Sequence, residues 1–531
     1  MIAMSENRKT FVRDATGLVR SISPFDAFLA SFGFVAIQLA LITYTTGPYL
    51  FPGSDLVSAT ILTTILSIPI ALMFTLFGWA MPRAGGDYIL ISRTIHPLVG
   101  FISSFNLMFW FLFFIGFEIN WVMTFALSPS LLIVGAIGSN QNLVNLAAAV
   151  ALPQNVLLIG LPMVIIFTIV MLRGVRTTFI LNNVITIISL IGVGAVIWLL
   201  VVSSRASFVS SFSRFASYDN IISAAHQAGY SPQSSTPLVA TLGVMPYIYL
   251  TTGFAFINTY YGGEIKSVKK NLFYSQVILT IVSGLILTII AAYTIQVFGY
   301  DFLGSISYLQ GTGSSIYPFS APPFINLFLS MLTDNPIILW LLAVTYVATL
   351  AAAVLPSLMA VSRSVFAWSF DRVIPSKFAE IHERLRVPVF TIIAMSVVWA
   401  ASLIAYTYGP PSFLSLASGA AVGENTSIMI VCIAAIVFPF RRKSLFEPSP
   451  ANIKVGPVPL LSLTGIISFT FIGMIQYFLL SNPLYGANTP PVLMAIVIIF
   501  VIGAVIYGAS YLYHKKQGLD ISMVFRDIPP E

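Results

Sequence analysis

Residues 247–271 read YIYLTTGFAFINTYYGGEIKSVKKN, an apolar segment that ends in a basic cluster. It places Thr251, Thr252 and Gly253 where a stable helix favours leucine or alanine. In lipid every backbone polar group needs a partner, so irregular backbone at membrane depth is tolerated only where it is buried or lines a cavity. A span interrupted in this way indicates a transporter's binding site between two half-helices. The alternative is an ordinary span whose small residues serve helix packing.

The composition is that of an all-α integral membrane protein. Hydrophobic residues make up 57% of the 531 positions, charged residues only 8%, and the mean hydropathy is +0.93. A soluble domain carries roughly 25% charged residues. Because a span needs about 20 apolar residues, the uncharged runs predict twelve spans. They lie near 25–47, 56–80, 98–126, 155–172, 179–202, 237–261, 272–298, 335–361, 389–407, 413–438, 457–480 and 491–513.

The reactive residue types argue against an enzyme. Cys432 is the only cysteine, the four histidines lie far apart, and the carboxylates do not cluster. No metal site is therefore predicted. A Gly-rich nucleotide loop ending in Gly-Lys is also missing from the sequence, which argues against ATP-driven transport. We expect no cofactor other than H⁺ or Na⁺ as a coupling ion.

The basic residues predict the orientation in the membrane. Of the 25 lysines and arginines, only Arg205 and Arg214 fall in segments predicted to be extracellular. Because positive charge resists translocation, this asymmetry places both termini in the cytoplasm of a cell that carries the protein in its cell membrane. The net charge of +7 is accounted for by this placement, so the predicted partner is the lipid bilayer and not a nucleic acid.

Twelve spans also predict the domain organisation, if the first ten form two inverted repeats of five. The predicted segments are a cytoplasmic tail 1–22, a first repeat 23–202, an extracellular loop 203–236, a second repeat 237–440, two further helices in 441–513 and a cytoplasmic tail 514–531. The oligomeric state cannot be predicted from these features.

Two acids are embedded in predicted spans. Glu118 lies in FLFFIGFEINWVMTF (111–125) and Glu424 in SLASGAAVGENTSIMIVCI (415–433). A carboxylate at membrane depth is costly and usually faces the bundle interior or a cavity. Both are therefore candidates for gating or coupling. The alternatives are that Glu118 reaches interfacial water and that Glu424 bonds to a helix end exposed at nearby glycines.

Small polar residues give weaker indications of a site for a coupling ion. Ser189, Thr345 and Thr349 offer hydroxyl oxygens to a cation, although hydrogen bonding between helices is the commoner use of such residues. In the loop after span two, Asp87 is expected to pair with Arg83 or Arg93.

Three stretches resemble the amino acid–polyamine–organocation superfamily of permeases. MPRAGGDYILISRTIHPLVG (81–100) is similar to its loop after span two, GGEIKSVKKN (262–271) to the end of span six, and SRSVFAWSFDRVIPSKFAEIHERLRVPV (362–389) to the loop after span eight. Their order and their positions at span ends make the resemblance specific, and it covers nearly the whole chain. It implies the leucine-transporter fold, with spans one and six broken at the midplane.

The resemblance also implies a substrate site at the two breaks, where a carboxylate meets free amides and an ammonium meets free carbonyls. The residues it assigns to substrate binding are Ala36, Ile37, Gln38, Thr251, Thr252, Gly253, Phe254 and Ala255. Either Phe254 or Phe256 is expected to be an aromatic gate over the substrate.

Two departures from the family pattern concern the site and the ion. The break in span one reads VAIQLA (35–40) instead of a Gly-Ser-Gly-like sequence, and Ser189 stands where some relatives carry a lysine tied to proton coupling. The predicted function is a secondary active transporter that moves an amino acid or related amine by alternating access, coupled to H⁺ or Na⁺. The alternatives are an exchanger without ion coupling and a non-transporting nutrient sensor.

Overall fold

The computed structural model describes residues 20–409, 412–518 and 525, without the side chains of Gln38, Leu39, 412–415 and 418. Most of the predicted tails 1–22 and 514–531 lies outside the described residues. Within them, ten helices are long and apolar enough to cross a membrane. They are Leu56–Ala80, Pro97–Ile137, Pro153–Leu172, Val175–Val202, Val268–Phe298, Pro336–Phe370, Val389–Tyr408, Gly419–Arg441, Leu460–Ser481 and Pro490–Lys516. In order, these are predicted spans two to five and seven to twelve.

The other two spans are broken. Span one consists of helix 1a (Pro24–Phe34) and helix 1b (Gln38–Leu50), joined through Ala36, whose φ of 46° lies in the left-handed region. Span six is helical over Pro237–Thr252 and continues only as two short turns, Ile257–Tyr260 and Gly262–Glu264. Each unbroken part is too short to span a bilayer alone, because a span needs about 20 helical residues. The predicted all-α fold of about twelve spans with breaks in one and six is confirmed.

Shorter elements connect the spans. They are the helices Gly86–Thr94, Gln141–Val150, Arg205–Phe212, Tyr218–Gln227, Tyr300–Gly311, Ile325–Met331 and Lys443–Phe446, the turns Ser376–Ala379 and Pro483–Tyr485, and the strand pair Lys454–Val455 with Val458–Pro459. The helices at 205–227 and 300–331 pack together over one end of the bundle.

Two predicted span boundaries were wrong. Span three, predicted to end at 126, runs to Ile137, because Pro129 follows a wider helical turn at Val122–Leu127 that accommodates a residue without an amide hydrogen. Span eight, predicted near 335–361, is interrupted between Ala351 and Val354 and continues to Phe370. Pro356 explains this interruption, since it cannot donate to the carbonyl four residues earlier.

Contacts between spans follow the symmetry of an inverted repeat. Span one packs on span seven, and the equivalent contact in the second repeat is span six on span two. Span three packs on span ten, and the equivalent contact is span eight on span five. Each contact maps onto its partner when five is added to or subtracted from the span number. These reciprocal contacts agree with the predicted repeats 23–202 and 237–440, whose boundaries remain predictions.

The three sequence motifs meet on one face, which we call the tail side and define by Ser21, Arg93, Glu264, Arg363 and Asp371. The backbone amides of Ser21 and of the next residue donate to the Glu264 carbonyl, each at 3.0 Å. The Arg363 guanidinium donates to both carboxylate oxygens of Glu264, with an Nη2–Oε2 distance of 3.0 Å. Arg93 pairs with Asp371 at 2.6 Å and 2.9 Å. The tail side is therefore closed by two buried ion pairs.

Asp87 does not form the salt bridge expected from the sequence. Its carboxylate is fully buried and accepts a hydrogen bond from Ser104 Oγ at 3.2 Å, while Arg93 is taken by Asp371. Burial raises the pKa of the Asp87 carboxyl to about 7, although hydrogen bonds oppose the shift. The expectation failed because helix Gly86–Thr94 turns Asp87 and Arg93 toward different neighbours.

The raised pKa predicts a pH-dependent stability. The pKa of Asp87 in the folded protein lies above the unfolded value of about 3.9, so its contribution is complete below that value and is lost as the pH rises through about 7. Asp87→Asn stays neutral, and its melting temperature in detergent should fall less than that of the wild type between about pH 5 and about pH 8. The exposed Asp219→Asn is the control and should keep the wild-type profile. Coincident profiles for Asp87→Asn and the wild type would contradict this prediction.

Candidate functional site

A cavity of about 520 Å³ lies where the two broken spans meet. Span one contributes residues from Phe34 onward, and span six contributes residues up to Phe254. These are the halves that point away from the tail side, so the cavity lies on the opposite side of the breaks. Spans three, eight, ten and eleven and the turn Pro483–Tyr485 complete its wall. In span eight, Ala353 lies at the interruption and Ser357 one helical turn after it.

Two carboxylates face this cavity. Glu118 and Glu424 both line it and are only 4% and 7% exposed. Neither carboxylate has a hydrogen-bond or ion-pair partner among the described residues. No lysine, arginine or histidine belongs to the described lining. The cavity therefore combines two acidic groups with an apolar wall.

Aromatic rings form much of that wall, and those on span three were not predicted from the sequence. Their members on span three are Phe111, Phe114, Phe117, Trp121 and Phe125. Four of these rings and Glu118 follow one another at steps of three and four residues, which places them on one face of a helix. That spacing is present in the sequence and would have predicted an aromatic face around the acid.

Both breaks expose backbone groups. The first residue of helix 1b is Gln38, and its N-cap Ile37 provides no side-chain cap, so the first amides of this helix lack the partner that a capping side chain supplies. Span six ends its helical half at Thr252, with the Gly253 amide donating to the Tyr249 carbonyl at 2.8 Å. The last carbonyls of that half form a negative helix end. An anionic group is thus favoured at one break and a cationic group at the other.

Comparison with protein families identifies the chain. A family model described as amino acid permease matches residues 22–505. The chain belongs to the amino acid permease family. A search of curated proteins gave no match. The family is one of transporters rather than enzymes, and it supports movement of amino acids or amines through a multi-pass membrane protein.

Four of the residues predicted for the site line the cavity of this permease, namely Ala36, Phe254, Glu118 and Glu424. The side chain of Gln38 lies outside the described part. The others stand behind the wall: Ile37, Thr251, Thr252, Ala255 and Phe256 are buried, and Gly253 ends the half-helix. Thr252 shares a hydrogen bond of 3.0 Å with Ser67, and the Ala255 carbonyl accepts one from Ser31 at 3.4 Å.

The predicted hydroxyl donors form a separate group between spans five and eight. Ser189 Oγ lies 2.6 Å from Thr349 Oγ1, and Thr349 also donates to the Thr345 carbonyl at 2.9 Å. Thr345 in turn donates to the Leu341 carbonyl at 2.7 Å. These hydroxyls do not line the cavity of the permease. A role in ion coupling would therefore require the ion to bind at a separate site, between spans five and eight.

The two candidate gate aromatics have different surroundings. Phe254 lines the cavity, whereas Phe256 stacks on Phe74 with ring centroids 4.1 Å apart. We expect Phe254→Ala to weaken substrate binding about tenfold or more, because it removes part of the cavity wall, and to lower the melting temperature less than Phe256→Ala does, because one side of its ring borders the cavity. Phe256→Ala should do the reverse and lower stability by about 3–5 kcal/mol, as expected for a buried ring.

Binding isotherms and melting curves for both variants test this assignment. Each variant serves as the control for the other, since both remove a phenylalanine ring from the same turn. Loss of binding in Phe256→Ala with normal binding in Phe254→Ala would contradict it.

Proposed function

We propose that this permease is a secondary active transporter that moves an amino acid or related amine across the cell membrane by alternating access, coupled to H⁺ or Na⁺. The observation that carries the proposal is the cavity at the junction of two broken helices, with buried ion pairs on the tail side. Alternating access requires a central site of this kind with a closed barrier toward one side of the membrane at a time.

The orientation of that cavity follows from the charge pattern of the loops. Lysine and arginine concentrate on the tail side, which we therefore assign to the cytoplasm. With this orientation, the cavity lies in the extracellular half of the bundle, as expected for an outward-facing state. Opening toward the cytoplasm requires the Arg363–Glu264 and Arg93–Asp371 pairs to separate or to move as units.

Two sets of groups support coupling to a cation. For H⁺, the unpaired acids Glu118 and Glu424 face the cavity. For Na⁺, oxygens converge beside Gly33 in helix 1a: a methyl group at this position would lie 2.8 Å from the Ala352 carbonyl oxygen and 2.9 Å from Thr186 Oγ1. The Thr186 hydroxyl is buried without a hydrogen-bond partner in the described residues. Carbonyl and hydroxyl oxygens are ligands that a hard cation accepts.

The test is substrate counterflow in proteoliposomes, followed by uptake under an imposed H⁺ or Na⁺ gradient. Trans-stimulation with gradient-driven accumulation is the expected result. Trans-stimulation that responds to neither gradient would replace ion coupling by exchange. Ligand binding without counterflow, with folded protein in the vesicles, would overturn transport and favour a sensor.

A further inference from the structure

The charge balance of the cavity narrows the substrate class. Two carboxylates, Glu118 and Glu424, face a space whose described lining holds no basic side chain. Both are more than nine-tenths buried and without partners in the described chain. An unpaired charge in a low-dielectric site is unfavourable, and it is relieved by a proton or by a cationic ligand.

The other groups around the acids do not supply that compensation. The polar residues among the described lining are Thr43, Thr46, Ser357, Tyr247 and Tyr485, all of which are neutral. The start of helix 1b adds a positive helix end at the cavity, equivalent to about half an elementary charge. A neutral zwitterion brings no net charge to the cavity, so it leaves at least one carboxylate uncompensated.

The aromatic wall favours the same kind of ligand. Phe34 and Phe111 lie with their ring centroids 5.6 Å apart, and Phe117 and Trp121 with theirs 4.3 Å apart. Aromatic faces attract ammonium groups, and this attraction strengthens when water is excluded. The combination of carboxylates and aromatic faces therefore favours the binding of organic ammonium groups. It disfavours a ligand with a second carboxylate.

We propose that the substrate of this site is an amine with a net positive charge, either a basic amino acid or a diamine, whose ammonium groups neutralise Glu118 and Glu424. This inference rests on the proposed transport function. A basic amino acid also places its carboxylate at the free amides of helix 1b, whereas a diamine leaves them to water. Both kinds of ligand carry ammonium groups for the two carboxylates. Only the basic amino acid also has a carboxylate for the amides of helix 1b.

The experiment measures ligand-induced thermal stabilisation of the purified full-length protein with four probes: lysine, 1,4-diaminobutane, leucine and glutamate. A ligand that binds only the folded state raises the apparent stability. We expect lysine, diaminobutane or both to bind about tenfold or more tightly than leucine, and glutamate to give no shift. Stabilisation by lysine alone identifies a basic amino acid, stabilisation by diaminobutane alone identifies a diamine, and stabilisation by both identifies a site that accepts either cation.

Isosteric variants test the role of each acid. Glu118→Gln and Glu424→Gln should each weaken binding of the cationic probe about tenfold or more. The matched control is Glu447→Gln, which removes a carboxylate from an exposed position outside the cavity and should bind as the wild type does. The probe series on the wild type gives a result even if one variant does not fold.

Three outcomes separate this inference from the proposed function. Binding and counterflow of leucine in preference to both cations would overturn the inference and leave transport standing. Unchanged cation affinity in both glutamine variants, with an altered pH profile of uptake, would assign the acids to protons and also overturn it. Failure of every amino acid and amine to bind or to exchange would overturn the proposed function itself.

Discussion

Glu264→Gln is expected to lower the free energy of unfolding by about 3–5 kcal/mol. The substitution leaves Arg363 with its charge in a site where the arginine and glutamate side chains are 2% and 1% exposed. The penalty comes from this uncompensated buried charge, because the side chain of glutamine has nearly the same shape as that of glutamate. The backbone bonds that hold Ser21 to residue 264 do not involve the side chain and should persist.

Denaturation midpoints in detergent measure the loss, with Asp334→Asn as the matched control. Asp334 pairs with Arg214 at 2.7 Å, but these side chains are 77% and 46% exposed. Solvent screens such a pair, so the control should lose at most about 1 kcal/mol. Equal losses in the two variants would contradict a stabilising role specific to the buried pair on the tail side.

A double variant distinguishes loss of the ion pair from damage to the surrounding packing. Glu264→Met combined with Arg363→Met removes both charges and replaces them with apolar side chains of similar length. Replacement of a buried ion pair by apolar groups is often close to neutral in stability. Recovery of most of the stability is therefore expected. A double variant as unstable as Glu264→Gln would attribute the loss to packing instead of to charge.

The broad architecture was predictable because lipid imposes it residue by residue. Each uncharged run of about 20 residues predicts a span, and the threonines and glycine at 251–253 indicated a break in span six, with a continuous, closely packed helix as the alternative. The position of the break in span one was harder to predict, since VAIQLA contains no glycine. The strain there falls on Ala36, which adopts a positive φ.

The details that were left open or predicted wrongly depend on tertiary contacts. Local sequence could not tell which of Phe254 and Phe256 faces the cavity, because the unwound backbone after Thr252 removes the helical periodicity on which such an assignment rests. The partner of Arg93 lies 278 residues away at Asp371, beyond the reach of a loop-based argument. By contrast, the aromatic face around Glu118 was present in the spacing of span three and could have been found.

Gly253→Leu is expected to abolish substrate binding while the protein remains inserted in the membrane. A Cβ atom at this position would lie 2.2 Å from the ring of Tyr249, so the ring has to move. The Tyr249 hydroxyl donates to Asn425 at 2.9 Å, which ties span six to span ten one residue after Glu424. Displacing the ring therefore disturbs the helix end at the break and the position of an acid in the cavity at the same time.

Gly194→Leu is the matched control, because a Cβ atom at Gly194 would meet no atom within 4 Å. This variant makes the same substitution within span five. Its ligand affinity should equal that of the wild type. Membrane insertion is checked by detergent extraction and gel filtration, and affinity by ligand-induced stabilisation. If Gly253→Leu bound substrate as the control does, the substrate could not depend on the broken end of span six. The cavity would then have to hold it through the remaining wall, above all spans three and ten, where the acids and most of the aromatic rings lie.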